Sequence, residues 1–255
     1  MSSSPPNHRR NPLGRTLRLL TWMADRGAAD YGVRELAGAV HMAPSTVHRS
    51  LGALQDEGLV ESDGASGRYR LSLGFYRLAL RGASQVPLLD LALPQLREAA
   101  KTGGETALLA LYDPLQLAAM FVAQVPSRHT VQVRTDLYEW FPLPASAAGQ
   151  AILAWLEPEV LVSVVAASRP KPDASRLAET LAAVRGRGFA SVPGRPGTGA
   201  VALAAPFWGP GTAPLGALLF AIPESRMNPV LEASLGQLLV ERGAALTASL
   251  GGSAA

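Results

Sequence analysis

The sequence predicts an α+β protein in two parts, a small helical one followed by a larger mixed one. Three observations carry this. The first seventy or so residues hold three short segments with apolar side chains at helical spacing, then a glycine-rich hairpin signal. From about residue 105 onward, short apolar runs of strand length alternate with longer helical ones. Finally, 255 residues with 48% hydrophobic and 17% charged side chains exceed one typical domain and leave ample material for a buried core.

Residues 1–12 are polar and proline-rich and read as a flexible tail, in which Arg9 and Arg10 suit solvent better than a phosphate contact. Leu13, Leu17, Leu20 and Ala24 then set one apolar face, with Arg15 and Arg18 off it, for the first of three core helices. Residues 27–32 form the connecting turn. Val33, Leu36, Ala37 and Val40 repeat the i, i+3, i+4, i+7 pattern of a second helix, and only His41-Met42-Ala43 separates it from a third. In that third helix Val47, Leu51 and Leu54 make a narrow apolar stripe, Pro44 suits the first turn and Gly58 a left-handed stop.

Opposite the stripe lie Ser45, Arg49 and Gly52, flanked by Thr46 and His48. Taken alone, such a face fits an ordinary solvated helix equally well. Joined to its predecessor by so short a turn, the helix becomes the second of a helix-turn-helix. That unit offers its N-terminal half to the major groove, so Ser45, Thr46, His48 and Arg49 are the residues expected to meet base edges and phosphates. Residues 59–62 and 68–71 follow as two strands about a turn with glycines at 64 and 67. Alternation places Tyr69 and Leu71 on one face and Arg68 and Arg70 on the other, where the arginines suit phosphate contact or a solvated edge. Helix, helix-turn-helix and hairpin in this order make a winged helix over residues 13–72.

The net charge of +3 is unevenly spread: through residue 85 there are eleven arginines against seven acidic residues, and beyond it twelve basic against thirteen acidic. The basic excess therefore coincides with the helix-turn-helix, and only that coincidence makes it a pointer to nucleic acid. The absence of cysteine removes disulfides and thiolate metal sites and suits a reducing compartment. The N-terminal stretch has no apolar signal-peptide core, and later apolar runs are cut by Asp113-Pro114 and Gly209-Pro210, short of a membrane span. A cytoplasmic protein is expected.

In the second part, residues 73–83 continue as an apolar helix and residues 88–102 as another, with Leu89, Ala92, Leu93 and Leu96 on one side. Residues 107–112 and 117–125 read as strands joined at Asp113-Pro114, and residues 130–134 as a further strand. Residues 143–151 lead through small side chains into a helix ending near Leu156; helices at 158–167 and 174–187, strands within 188–206 and 215–222, and a terminal helix at 229–250 complete the chain. On its own, Ser146 reads as a helix N-cap and the neighbouring alanines as close packing.

Residues 33–79, above all Ser45-Thr46-Val47-His48-Arg49 and Arg68-Tyr69-Arg70-Leu71, resemble the N-terminal domain of the IclR family of bacterial transcriptional regulators. The run Leu143-Pro144-Ala145-Ser146-Ala147-Ala148-Gly149-Gln150-Ala151 is similar to that family's second signature, where a loop meets a helix N-terminus beside the effector pocket. The resemblance implies a linker helix over residues 73–86 that contributes to dimerisation, and a GAF-like antiparallel sheet flanked by helices over residues 87–251. It implies double-stranded DNA as partner, read by a homodimer or homotetramer. Two-fold symmetry makes the expected operator an inverted repeat.

The departures from the family pattern all remove polar groups. Pro144 and Gln150 stand where the signature usually has histidine and lysine. Residues 192–197 lack the acids common before the glycine corresponding to Gly199, and residues 218–222 lack the serines some members use for small carboxylates. A surviving pocket is expected to be walled by Leu143, Ala145, Ala147, Val192 and Met120, with Ser146 and Gly149 at the helix start. It is expected to take a small apolar or aromatic effector; a C-terminal domain used only for oligomerisation is the alternative. No cofactor, metal or enzymatic activity is expected: Ser146 is the one tempting nucleophile, and His8, His41, His48 and His129 form no recognisable constellation with it.

Overall fold

In a computed structural model, which describes residues 11–26, 30–84, 88–193 and 199–253, the protein is α+β and divides into two compact units, residues 1–87 and 88–255. The expected tail up to residue 10, part of the first turn and residues 194–197 lie outside the described residues.

The first unit is built from α1 (Pro12–Arg26), α2 (Val33–Ala39) and α3 (Pro44–Asp56), packed around Leu19, Met23, Leu36, Val47 and Leu51. The α1 face differs from expectation. Its wheel carries two adjacent apolar stripes, and the core takes Leu19 and Met23, leaving Leu13 64% and Leu17 50% exposed. The choice is fixed by Tyr31, whose hydroxyl donates to the Met23 carbonyl at 3.1 Å while its ring meets Trp22 edge-on. α3 starts on Pro44 and stops at Gly58, which takes φ +68° and lets the Leu59 amide donate back to the Leu54 carbonyl at 2.8 Å.

The hairpin pairs β1 (Val60–Ser62) with β2 (Tyr69–Leu71), Val60 opposite Leu71. Its turn is organised by Asp63, whose carboxylate accepts from the Ser66 hydroxyl at 2.7 Å and the Ala65 amide at 3.1 Å. Those bonds, the Ser66 one first, hold the Asp63 carboxyl below the usual carboxylate range. α4 (Leu73–Ser84) follows.

The second unit runs α5 (Leu88–Gly103), β3 (Thr106–Asp113), β4 (Ala118–Val125), β5 (Trp140–Pro142), α6 (Ala147–Leu153), α7 (Pro158–Ala167), α8 (Ala174–Arg187), β6 (Ala190–Pro193), β7 (Ala200–Trp208), β8 (Pro214–Pro223) and α9 (Pro229–Ser249). Its antiparallel sheet has the order β5-β4-β3-β8-β7-β6. The strands are apolar on both faces because both faces are covered. Leu108, Ala110, Ala204 and Leu219 pack with α6 and α8, whereas Leu109, Leu203, Phe207 and Phe220 pack with α5 and α9.

Residues 130–134, expected as a strand, are not one, and β5 was not expected. Residues 126–139 cross without a ladder and are held by single bonds instead. The Ser127 amide donates to the Thr106 hydroxyl at 3.2 Å, Arg226 Nη1 to the Val131 carbonyl at 3.0 Å, and the Tyr138 amide to the Phe121 carbonyl at 2.8 Å. Arg226 is itself anchored on Glu105, 3% exposed, by two charge-assisted bonds of 2.7 and 2.5 Å, and that carboxylate raises its already high pKa.

Candidate DNA-reading face and ligand cavity

α3 is fixed from one side and free on the other. Val47, Leu51 and Leu54 are at most 4% exposed, and the buried Ser50 hydroxyl accepts from Thr16 Oγ1 at 3.1 Å. Ser45, His48 and Arg49 are exposed and Thr46 is half-buried at the first turn. Among the described residues Arg49 has no ion-pair partner, so its fork of donors is available to a base edge or a phosphate. Between α2 and α3 the chain turns through His41 at φ +52°, a conformation that short side chains and glycine adopt at less cost.

The hairpin arginines are not the free cations that strand alternation alone suggests. Arg68 Nε pairs with Asp30 at 2.5 Å, and its Nη2 reaches both the Asp30 carbonyl at 3.2 Å and Glu35 at 3.3 Å. Glu35 in turn accepts from the Gly32 amide at the start of α2. Arg68 thus braces the hairpin against the helix-turn-helix. Arg70 pairs with Glu61 across the two strands at 2.6 Å. Each carboxylate raises the pKa of its arginine, Asp30 for Arg68 and Glu61 for Arg70. A phosphate would have to compete with these carboxylates for either side chain.

In the second unit a cavity of about 330 Å³ opens where the turn after β5 meets the sheet. Ala145, Ser146 and Ala147 line it, as expected, together with Phe121, Phe141, Ala202 and Ala221. The turn Leu143–Ala145 is a single 3-10 turn, followed by Ser146, whose hydroxyl accepts from the Gly149 amide at 3.0 Å and caps α6. Gln150 Nε2 donates to the Pro144 carbonyl at 3.0 Å, closing the turn from behind. The two positions where polar family residues were missed therefore bond to each other. α6 has only seven residues, and the Ser146 hydroxyl already occupies one of its first amides.

Four expected lining residues lie elsewhere. Met120 sits opposite Leu111, one step from Phe121, and so on the other face of the sheet. Leu143 is wholly buried under the turn rather than beside the cavity. Gly149 serves that burial: a Cβ there would lie 2.0 Å from the Leu143 carbonyl oxygen. Val192 packs into the apolar layer around α6, and its neighbour Pro193 reaches the cavity.

The sequence reading also missed the rim. Arg134, Thr135, Asp136 and Glu139 border the cavity beside Val133. Arg134 ends the segment read as a strand and the other three follow it, and the clustering of polar and charged side chains in Arg134-Thr135-Asp136 was the available sign of a solvated rim. The lining is mainly apolar, and its charged side chains are exposed to solvent.

A winged helix-turn-helix with an exposed hydroxyl and arginine face, followed by a separate unit with a ligand-sized cavity, defines a class: the two-part transcriptional regulators. Family models narrow it, since the IclR helix-turn-helix domain matches residues 12–64 and the bacterial transcriptional regulator IclR C-terminal domain matches residues 81–248. The chain belongs to the IclR family of DNA-binding transcriptional regulators.

It is 26% identical over 261 residues to the transcriptional repressor IclR of Escherichia coli, covering 99% of this chain and 94% of that protein. It is 25% identical over 260 residues to the acetate operon repressor of Salmonella typhimurium, with 98% and 94% covered. These relatives are named as repressors rather than enzymes. Among solved structures, an IclR transcriptional regulator from a Silicibacter species is 30% identical with a TM-score of 0.81, over 96% of this chain and 98% of its own. An IclR homologue from Microbacterium hydrocarbonoxydans, determined with 4-hydroxybenzoate, is 22% identical with a TM-score of 0.78 over 95% and 100%, a likeness of fold. Among the described residues no helix is long and apolar enough to cross a membrane.

Proposed function

We propose that this regulator binds an inverted-repeat operator in the cytoplasm as a symmetric homo-oligomer, and that an aromatic or apolar effector in the second unit changes its operator affinity. The observation that supports the DNA reading is α3, buried on Val47, Leu51 and Leu54 and open on Ser45, His48 and Arg49. In this reading Ser45, Thr46 and Arg49 work in the major groove, with His48 beside them. Arg70, the more exposed of the hairpin arginines, exchanges Glu61 for phosphate, and Arg68 keeps the wing in place. The recognition helix covers only a few base pairs, so a two-fold partner supplies the specificity. α4 is the surface for that partner: Leu73 is 81% and Leu80 70% exposed on a helix with Tyr76 and Leu78 beside them.

The effector class rests on a lining that is mainly apolar, with its charged side chains Arg134, Asp136 and Glu139 exposed to solvent. A short keto acid has too little apolar surface to gain from Phe121 and Phe141, and desolvating its polar groups there costs about 1 to 3 kcal/mol each. A flat ring gains from packing against the paired Phe121 and Phe141, whose ring centroids lie 4.4 Å apart in mutual contact. The fold relative determined with 4-hydroxybenzoate supports the same class.

The test has two arms. Selection of bound DNA from a random pool yields inverted repeats, and Arg49→Ala weakens the selected site by about 1 to 3 kcal/mol while relaxing its sequence. Calorimetry of the full chain against aromatic acids, short keto acids and larger apolar metabolites gives binding in the aromatic or apolar arms. Tight keto-acid binding overturns the effector class, and silence across the panel favours a second unit that only oligomerises.

A further inference from the structure

A second concavity, of about 420 Å³, lies in the second unit away from the cavity described above. Its wall brings together Arg97 and Lys101 from α5 and Arg128 and His129 from the segment after β4, over a floor that includes Ala100, Gly104 and Val125. The lining contains no carboxylate. On the same helix Glu98 accepts from the Thr102 hydroxyl at 3.4 Å and lies 3.9 Å from Lys101 Nζ. Among the described residues Arg97, Arg128 and His129 have no ion-pair partner.

General basicity does not account for this grouping. Beyond residue 85 the chain holds twelve basic against thirteen acidic residues, yet three of those twelve converge here with a histidine. Nor does it serve α5. Lys101 in the last turn suits the helix dipole, but Arg97 four residues earlier is a like charge on the same face, an arrangement that works against a helix. Unpaired cations around a concavity raise the local anion concentration and supply charge-assisted donors from several directions. The His129 ring leans over the chain reversal, its Nε2 3.8 Å from where a Cβ on Gly104 would stand, and adds a donor at the edge.

We propose that this concavity is an anion site for a small phosphorylated metabolite, with Arg97, Lys101 and Arg128 holding the phosphate and His129 a further oxygen. The space exceeds what a phosphate alone needs and falls within the range of small-molecule sites. This site would give the regulator a second input, chemically distinct from an aromatic effector.

The probe is inorganic pyrophosphate, titrated calorimetrically into the full chain at moderate salt with sulfate as the competing simple anion. Saturable binding at one site per chain is expected. It weakens about tenfold or more in the double variant Arg97→Gln, Arg128→Gln, and to a smaller extent in Lys101→Gln, while Arg49→Gln on the DNA-reading face leaves it unchanged. All these side chains are exposed, so thermal midpoints equal to the parent's verify the fold. The proposal is overturned if pyrophosphate does not saturate, or if the double variant binds it as the parent does. It is equally overturned if the double variant instead loses operator affinity with a flatter salt dependence while pyrophosphate binds no better than sulfate; the cluster would then be a DNA-backbone contact.

Discussion

Replacing Arg226 by methionine tests what holds the second unit and the cavity rim together. Arg226 grips the Glu105 carboxylate with two bonds, of 2.7 and 2.5 Å, and its remaining nitrogen holds the Val131 carbonyl two residues before the cavity-lining Val133. Glu105 is 3% exposed, so Arg226→Met strands a buried charge, which costs about 3 to 5 kcal/mol. The Val131 carbonyl sits on an exposed residue and turns to water at little cost. For a domain of this size the loss lowers the unfolding midpoint by about 6 to 20 °C. Removing both charges, in Glu105→Met with Arg226→Met, recovers most of it, because the attraction within the pair is largely offset by the desolvation of its members. Tryptophan fluorescence follows this unit through Trp155 and Trp208, which pack edge to face at 5.6 Å. A single variant less than about 1 kcal/mol below the parent, or a double variant as unstable as the single, refutes the reasoning.

Other perturbations address the sites directly. Gly149→Ala forces a Cβ to within 2.0 Å of the Leu143 carbonyl oxygen; it costs about 1 to 3 kcal/mol and displaces the turn carrying Ala145 and Ser146. Calorimetry should then show weaker effector binding with unliganded DNA affinity intact, and an unshifted thermal midpoint would contradict the packing. Arg68→Gln, at a pair with both side chains over 40% exposed, changes stability little. As a brace it leaves the salt slope of DNA binding in place, whereas loss of a phosphate contact flattens that slope by about one unit. At the wing tip, Asp63 is more acidic folded than unfolded, so its bonds favour the ordered turn above the usual carboxylate range and are lost as pH falls through its depressed value. The Ala65 amide resonance, followed by NMR from neutral pH downward, should report that loss, and Ser66→Ala should move it to higher pH.

The parts legible from sequence were those specified by neighbours in the chain. The α3 stripe, Pro44 at its start, Gly58 at its end and the Asp63 turn are local signals, and each appears where the spacing put it. The missed features depend on distant partners. Arg68 lies thirty-eight residues from Asp30, so strand alternation set its face correctly without revealing that a carboxylate already occupied it. Which of two α1 stripes turns inward was decided by Tyr31. Met120 looked like a wall residue until its pairing with Leu111 fixed its face, and the register breaks two residues further on, between the pairs Ala110–Phe121 and Leu109–Ala123. The rim segment alternates like a strand, yet side-chain and single backbone bonds hold it without a ladder.

Six alanines, Ala145, Ala147, Ala148, Ala200, Ala202 and Ala221, lie along the cavity wall, and they bear on how such a protein changes over time. Each is a place where a methyl group stands in for something larger, so the shape of the space is set by side chains that are not there. At the more open positions, Ala145, Ala200 and Ala202, an exchange for valine or serine redraws the outline without touching the bonds at Ser146 and Gln150 that keep the turn closed. Recognition in this lineage can therefore be rewritten one substitution at a time while the scaffold stays as it is, a mould whose inserts are exchangeable.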